Sequence, residues 1–304
     1  MPMTKVANVS TGILDVYAQE ILLDSVPLLV FRQFVDYKMD LTKKPGETIR
    51  FLKYADISAG GALLDEETPI KRNVMTQSDK FITMQEMGNA VSFSRRAQQA
   101  NIRDLMEDAR MLLGRDYRQV LDSYLRDTFG AVANKYYAAA GGAPGANIGA
   151  TAIPMTDTLL KKLVTTAKNL SIPKFNRGGD SFYVFVGTPN QIEAIRDSSR
   201  WMDARRYSDP TQILNGESGM IDGVVFVDST QMNDLDQAGV GFGGADVERG
   251  FFLGAHAVAY GESVPLELIE ESPEDFKRKQ AIAWYSIAGA GILNDYAIDV
   301  YTTA

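Results

Sequence analysis

A single histidine, His256, limits the acid–base chemistry open to this chain of 304 residues. A Ser–His–Asp triad, a histidine metal site or a histidine general base would each have to use it. His256 lies in the apolar run 251–260 (FFLGAHAVAY), a pattern typical of a strand. We therefore expect a partly buried strand histidine with a local partner and no catalytic role.

Acidic residues are the second candidate chemistry, because paired carboxylates can cleave glycosides or bind a divalent cation. Adjacent acids occur at 65–67, 270–271 and 274–275. Successive side chains usually point in different directions, and short charge runs are usually solvated. We expect no catalytic residues and no metal site from these pairs.

The run Asp65, Glu66, Glu67 is better placed to meet basic residues on a neighbouring molecule. Three basic runs are possible counterparts, and the sequence does not choose among them: Arg95–Arg96, Arg205–Arg206 and Lys277–Lys279.

The sequence contains no motif that supports nucleotide binding and no residue that could carry thiol chemistry. The glycines of 239–244 lack the spacing of a dinucleotide loop, and no phosphate loop or Gly-x-Ser-x-Gly elbow occurs. The chain has no cysteine, which is usual for folding in a reducing cytoplasm. We expect no cofactor.

Charge and hydropathy restrict the partners. A net charge of -8 and a pI near 4.9 argue against a tight grip on DNA phosphates, although not against a container for DNA. The N-terminus lacks a signal-peptide apolar region. The longest apolar candidate, 21–35, is interrupted by Asp24, Pro27 and Arg32, so we expect no membrane span.

The elements that must position any functional surface begin with a predicted two-stranded ribbon. Its halves, 47–54 and 73–94, are rich in strand-forming residues, and a glycine tip at Gly60–Gly61 lies between them. A lone ribbon is marginal in water, so a neighbouring molecule must cover it where its own chain does not. This pattern indicates assembly rather than catalysis.

A very long helix follows the ribbon. Apolar residues repeat at helical spacing across 101–137, which predicts a helix of about 55 Å. Asn101, with Asp104 three residues on, is the expected N-terminal cap, and 94–99 forms either its first turn or a separate helix. Asp122 is predicted on the polar side.

The remaining pattern alternates between helix and strand after a hinge at 141–149. We expect a helix at 156–170, a buried strand at 181–187, a helix at 189–197 and a second buried strand at 224–227, which together make a small α/β core. Strand-like runs follow at 257–260 and 266–269. Residues 281–302 read as two strands linked near Gly289–Gly291.

Several segments carry a family resemblance. The segments KKPGETIRF, ISAGGALLDEETPI, FITMQEMGNAVSFSRRA and DLMEDARMLLGRDYRQVLDSYL resemble the major capsid proteins of tailed bacteriophages. Later segments, such as FYVFVGTPNQIEAIRDS, fit the group close to the N4-like phages. The resemblance implies an α+β chain with the Hong Kong-type phage capsid fold. Its expected parts are an N-terminal arm (1–45), an extended two-stranded loop (46–94), a peripheral domain with a long spine helix (95–150), an axial domain (151–235) and a return to peripheral strands (236–304).

The resemblance also implies a function. Copies would assemble in the host cytoplasm into pentamers and hexamers of an icosahedral virion shell around double-stranded DNA, which they would touch only weakly and non-specifically. A portal, a separate scaffolding protein and an optional decoration protein are the other expected partners. The expected inter-subunit contact residues are Phe51, Tyr54, Gly60, Gly61, Asp65, Glu66, Glu67, Arg95 and Arg96. An encapsulin-type nanocompartment shell and a soluble α/β enzyme are the alternatives.

Overall fold

A computed structural model describes eleven stretches of the chain: residues 29–38, 48–54, 70, 72–101, 104–138, 154–177, 180–197, 219–235, 246–271, 275–276 and 278–303. The four α-helices of these stretches are α1 (Arg95–Ala100), α2 (Leu105–Gly130), α3 (Asp157–Asn169) and α4 (Pro189–Arg196). Short 3₁₀ helices occupy Phe31–Phe34 and Thr230–Leu235.

Thirteen strands are described, and they form a four-stranded sheet, a seven-stranded sheet and a separate two-stranded ribbon. Their bounds are β1 Asp36–Lys38, β2 Thr48–Tyr54, β3 Gln77–Thr83, β4 Gln85–Ser94, β5 Lys135–Tyr137, β6 Phe175–Arg177, β7 Asp180–Gly187, β8 Met220–Ile221, β9 Val224–Asp228, β10 Val247–Leu253, β11 Val258–Glu270, β12 Lys279–Ile292 and β13 Ala297–Thr303.

The four-stranded sheet has the order β1-β11-β12-β4 and packs one face on helix α2. Alternate residues of β12, including Ile282 and Trp284, are buried against the apolar stripe of the helix. Tyr117 meets Trp284 edge-on, with ring centroids 5.3 Å apart. The Trp284 indole N–H also donates to Asp116 Oδ2 over 2.8 Å, so helix and sheet are held in register by apolar and polar contacts together.

The seven-stranded sheet has helices on both faces. Its path is β5-β13-β10-β7-β9-β8, with β6 added beside β7. Val184 and Val186 of β7 belong to the core on the α2 side, whereas Tyr183 and Phe185 belong to the core with α3. This two-sided burial explains why β7 is a continuous apolar run. The sheet takes strands from three predicted parts of the chain, namely 95–150, 151–235 and 236–304.

The α/β core follows its predicted elements closely. Helix α3 begins after Thr156, whose hydroxyl accepts from the Leu159 N–H, and α4 begins with Pro189 after a capping box between Thr188 and Gln191. Strands β7 and β9 pair in parallel on either side of α4 in the sequence. Local signals of cap, proline and apolar run were therefore sufficient for these elements.

The ribbon prediction was wrong in its second half. Only Gln77–Thr83 pairs with β2, from Thr48↔Thr83 to Tyr54↔Gln77. After Met84 the chain continues as β4 and pairs with β12 over ten residues. The reason is that β12 offers a longer ladder than the seven-residue β2 can.

The long helix is shorter than predicted at both ends. Helix α2 starts after Asp104, whose carboxylate accepts from the Met106 N–H over 2.9 Å, rather than at Asn101. It ends at Gly130, so its length is about 39 Å rather than 55 Å. Residues Lys135–Tyr137 instead pair in parallel with β13, because this sheet edge satisfies their backbone groups. The 94–99 turn is a separate helix, α1, capped by Ser94.

Candidate functional site

His256 lies in an exposed turn, not in a strand as predicted. Its φ of 60° is in the left-handed region, in the turn between β10 and β11, and its side chain is 65% exposed. Its Nδ1 is 2.6 Å from Asp36 Oδ2, so the partner is distant in sequence. The contact joins the start of β1 to the body of the subunit, and a serine nucleophile does not accompany the pair among its described contacts.

The acidic pairs do not converge in the described part of the chain. Glu270 pairs with Arg110 of α2, Glu271 is exposed, and Asp275 pairs with Arg278. Asp65, Glu66, Glu67 and Glu274 lie outside the described residues. Among the described residues, no three His, Asp or Glu side chains are grouped so that they could hold a metal ion.

The ribbon has a covered face and an exposed face. Ile49, Phe51 and Ile82 point towards the end of the four-stranded sheet, where they form a small core with Ala259. Phe51, a predicted inter-subunit contact, is therefore buried against its own chain at 7% exposure. Lys53 extends the contact, since its Nζ donates to Asn294 Oδ1 over 2.5 Å.

The opposite face of the ribbon is exposed and rich in apolar area. Leu52, Tyr54 and Phe81 are 56%, 57% and 62% exposed. Arg50 lies among them, paired with Asp79 and 5.9 Å from the Phe81 ring centre. Large apolar side chains crowded on one strand face are typical of a surface that another molecule covers. Gly60 and Gly61, the predicted tip, lie outside the described residues.

Two glycines of β12 make room for the ribbon. A Cβ on Gly291 would lie 2.8 Å from Ile82 Cγ1, and one on Gly289 would lie 2.7 Å from the Thr83 carbonyl oxygen. The predicted link at Gly289–Gly291 was therefore wrong: β12 runs through both glycines to Ile292. These glycines serve close packing between strands rather than a turn.

Arg95 and Arg96 lie exposed at the start of α1. The Arg95 N–H donates to the Arg278 carbonyl oxygen over 2.9 Å, and Ser94 pairs with Lys279. Two of the three basic runs that the sequence left as alternatives thus form one surface. Arg205–Arg206 lies outside the described residues.

A buried anchor for residues 29–38 was missed by the sequence reasoning. Asp122 was predicted on the polar side of the helix, yet it is 1% exposed. Its Oδ1 accepts the Phe31 N–H over 2.9 Å, while Phe31 itself is fully buried 5.8 Å from the Phe129 ring. The one available signal was the i, i+4 pair with Arg126, which is also buried next to the apolar stripe.

Two further contacts hold the same segment. Glu262 accepts from Arg32 over 3.3 Å and from the Tyr37 hydroxyl over 2.9 Å. It also accepts from the Tyr260 hydroxyl over 2.8 Å, and burial with this hydrogen bond raises the Tyr260 pKa. Burial raises the pKa of Asp122 to about 6, against the hydrogen bonds from Phe31 and Val30 that lower it. Polar groups of α2, β11 and the 254–257 turn therefore set where the segment before β1 enters the subunit.

Together, a long helix under a four-stranded sheet, an α/β layer and a two-stranded ribbon make up the described fold. Solved structures with the same fold include the capsid of cyanophage Pam1, 15% identical with a TM-score of 0.77, the alignment covering 95% of this chain and 96% of that one. The capsid protein of Ralstonia phage GP4 is 18% identical, with a TM-score of 0.75 and 95% of each chain covered. For Helicobacter pylori bacteriophage KHP30 the values are 12% and 0.69, with 100% and 98% covered. The comparison with curated proteins finds no match.

The family model for phage capsid protein matches residues 77–300. The chain belongs to this phage capsid protein family. It is a subunit of the capsid shell of a virion, as the resemblance in the sequence predicted. No described helix is long and apolar enough to cross a membrane.

Proposed function

We propose that the chain is the major capsid protein of a tailed bacteriophage and that it closes into an icosahedral shell around double-stranded DNA. The observation that carries the proposal is the exposed apolar face of the ribbon, with Leu52, Tyr54 and Phe81 each more than half exposed in the single subunit. This face is proposed to lie on an adjacent subunit of the shell. Burying such side chains at a permanent interface contributes about 25 cal/mol per Å² of apolar area.

The two faces of the ribbon then have different roles. Phe51, Ile49 and Ile82 hold the ribbon on its own sheet, so they set its direction. Tyr54 lies on the outer face and is proposed to contact the neighbour, with Gly60 and Gly61 further along the same loop. Phe51 is proposed to support that contact from behind rather than to make it.

The segment before β1 is proposed to act as a second arm. Its contacts with Asp122 and Glu262 fix where residues 29–35 lie on the subunit. Each inter-subunit contact can be modest, because contacts linked within one shell strengthen one another through effective concentration. Pentamers and hexamers are the proposed capsomers, and the axial domain at 151–235 is proposed to lie at their centres.

The other proposed partners are a separate scaffolding protein, a portal and an optional decoration protein. Packaged DNA is proposed to touch the shell weakly, because a net charge of -8 disfavours tight phosphate binding. No catalytic role is proposed for the subunit. Its single histidine contacts Asp36 at the surface. Among the described residues, no three His, Asp or Glu side chains are grouped so as to hold a metal ion.

Electron microscopy of the expressed chain, alone and with its phage's scaffolding protein, tests the proposal. Closed icosahedral particles or capsomers are expected. The average molar mass measured by light scattering should rise with protein concentration. A compact monomer under every condition of concentration and salt, with or without scaffold, would contradict the proposal. The contents separate the alternatives: packaged DNA in particles from infected cells supports a virion, whereas an enclosed host enzyme supports a nanocompartment.

A further inference from the structure

We propose that the surface formed by Arg95, Arg96, Phe276, Arg278 and Lys279, the basic patch, receives the acidic segment 63–70 of a second copy of this chain. The inference rests on the proposed function. It goes further by naming the two surfaces that meet and the direction of the contact.

The basic patch is assembled by backbone pairing at one end of the four-stranded sheet. The Arg95 N–H bonds to the Arg278 carbonyl over 2.9 Å, and Lys279 pairs with Ser94. All four cations are exposed. In the described part of the chain, one of them has an acidic partner, since Arg278 lies 3.6 Å from Asp275. The patch therefore keeps a positive surplus on a subunit whose net charge is -8.

An apolar side chain projects beside these cations. Phe276 is 98% exposed, the largest exposure among the large apolar side chains described. Both Phe276 and Asp275 adopt left-handed backbone conformations, with φ of 51° and 50°. Such conformations are uncommon for residues with side chains and are retained mostly where they serve a function. An aromatic anchor next to charged residues is typical of the centre of a protein–protein interface.

The segment 63–70 has the complementary sequence. It reads LLDEETPI, with the three acids Asp65, Glu66 and Glu67 flanked by Leu63–Leu64 and by Pro69–Ile70. Ile70, the member of this segment that the structure describes, is 71% exposed. Acids would meet the cations while the flanking apolar residues pack on Phe276, which gives one contact both charge and apolar complementarity.

The basic patch and the base of the ribbon lie at opposite ends of β12. Lys279 lies twelve residues from Gly291 in β12, which is about 40 Å along a strand. The ribbon meets β12 at Gly289–Gly291 through Ile82 and Thr83. A neighbouring copy is therefore the proposed source of the acidic segment that meets the patch.

Complementary surfaces that lie apart on one subunit can pair between copies. A contact of this kind is head-to-tail, and head-to-tail contacts close into rings when the rotation between subunits allows. The charge pairing proposed here would therefore act in the interfaces that build capsomers or join them, rather than in an isolated two-fold dimer.

Charge exchange tests the inference. The variant Arg95→Glu/Arg96→Glu and the variant Asp65→Lys/Glu66→Lys/Glu67→Lys should each lower the yield of particles about tenfold, because like charges then face each other. A chain that carries both groups of substitutions should restore at least about half of the wild-type particle yield, since the charges of the two surfaces are complementary again. Arg118→Glu/Lys135→Glu, at two exposed positions outside the basic patch and the proposed axial domain, is the matched control and should assemble as the wild type does.

Circular dichroism of each variant shows whether the subunit has folded before its assembly is judged. Normal assembly of either single-sided variant overturns the inference. So does a combined variant that assembles no better than its two parents. If the wild type itself forms no particles, the proposed function fails, and that result is distinct from a wild type that assembles while the exchange has no effect.

Discussion

At the residue scale, Asp122 determines how the N-terminal segment is fastened. Its Oδ1 accepts the Phe31 N–H, but its Oδ2 has no hydrogen-bond partner among the described residues. Arg126 follows one turn later and lowers the Asp122 pKa, yet burial outweighs it and raises that pKa to about 6 from 3.8. Arg126 is itself engaged by Asp127 and Asp234. The carboxylate is thus stabilised less by its surroundings than it would be by water.

The sign of the pH effect follows from this raised pKa. The folded subunit holds the Asp122 proton more tightly than the unfolded chain does. The contribution of Asp122 to stability is therefore fully present below about pH 3.8 and is lost as the pH rises through about 6. The loss amounts to about 3 kcal/mol at 1.36 kcal/mol per pKa unit.

Asp122→Asn should remove this dependence. The free energy of unfolding of the wild-type subunit, minus that of Asp122→Asn, should fall by about 2 kcal/mol between pH 4 and pH 7. Denaturant unfolding of dissociated subunits at several pH values measures the difference. Asp180→Asn, at the exposed start of β7, is the control and should give a curve parallel to that of the wild type. Parallel curves for Asp122→Asn as well would show that the carboxyl group is not buried in the folded subunit.

At the scale of elements, the ribbon is directed by a close contact with β12. The absence of a side chain at Gly291 lets Ile82 pack directly on the strand, and Gly289 does the same for the backbone of Thr83. The exposed ribbon face can meet a neighbour only if this contact holds the ribbon at the correct angle. Side chains at either glycine should therefore affect assembly more than they affect the core.

Gly291→Ala should lower particle yield and cost about 1–3 kcal/mol, because its Cβ would lie 2.8 Å from Ile82 Cγ1. Ile82→Ala removes the obstructing atoms, so adding Gly291→Ala to that variant should lower the free energy of unfolding only slightly further. Gly289→Ala should keep most of its cost in both backgrounds, since the nearest obstructing atom, at 2.7 Å, is the Thr83 carbonyl oxygen, whereas Ile82 Cγ2 lies at 3.1 Å. Thermal unfolding of the three single and two double variants, with particle counts, measures both effects. Equal costs of Gly291→Ala with and without Ile82 would rule out the proposed packing.

At the scale of the whole molecule, the described hydrophobic clusters lie away from the two ends of the ribbon at Tyr54 and Gln77. The two large clusters are built mainly from α2, α3 and the two larger sheets, and the small cluster includes Phe51 and Ile82 at the base of the ribbon. We therefore propose that the loop beyond Tyr54 contributes to assembly more than to the fold of its own subunit.

Deleting residues 55–68 and closing the ribbon with a short turn should spare the fold and abolish stable shells. Shortening a loop changes its closure entropy by only about 0.6 kcal/mol per halving, whereas permanent interfaces bury roughly 2,000 Å² or more. Near-wild-type circular dichroism together with the absence of sedimenting particles is the expected result. Particles of normal size and yield would make the loop dispensable and would argue against the role proposed for the ribbon.

The sequence by itself determined the elements whose signals are local. The cap at Thr156, Pro189 at the start of α4 and the apolar runs of β7 and β9 each predicted their element, and the quoted segments led to the correct family. Caps, proline and apolar periodicity act within a few residues, so one chain is enough to read them. The narrower resemblance to N4-like phages stays a prediction.

The tertiary structure alone decided the partners of those elements. Residues 77–94 have one strand-forming composition, yet Gln77–Thr83 pairs with β2 and Gln85–Ser94 with β12. Asp122 is polar in sequence and buried in space because residues 29–34 cover it. Arg95 meets Arg278 across 183 positions of sequence. Strand pairing, burial and charge patches depend on which distant segment of the chain packs alongside. Backbone N–H and C=O groups can pair with many strands, so the local sequence does not identify the strand with which they pair.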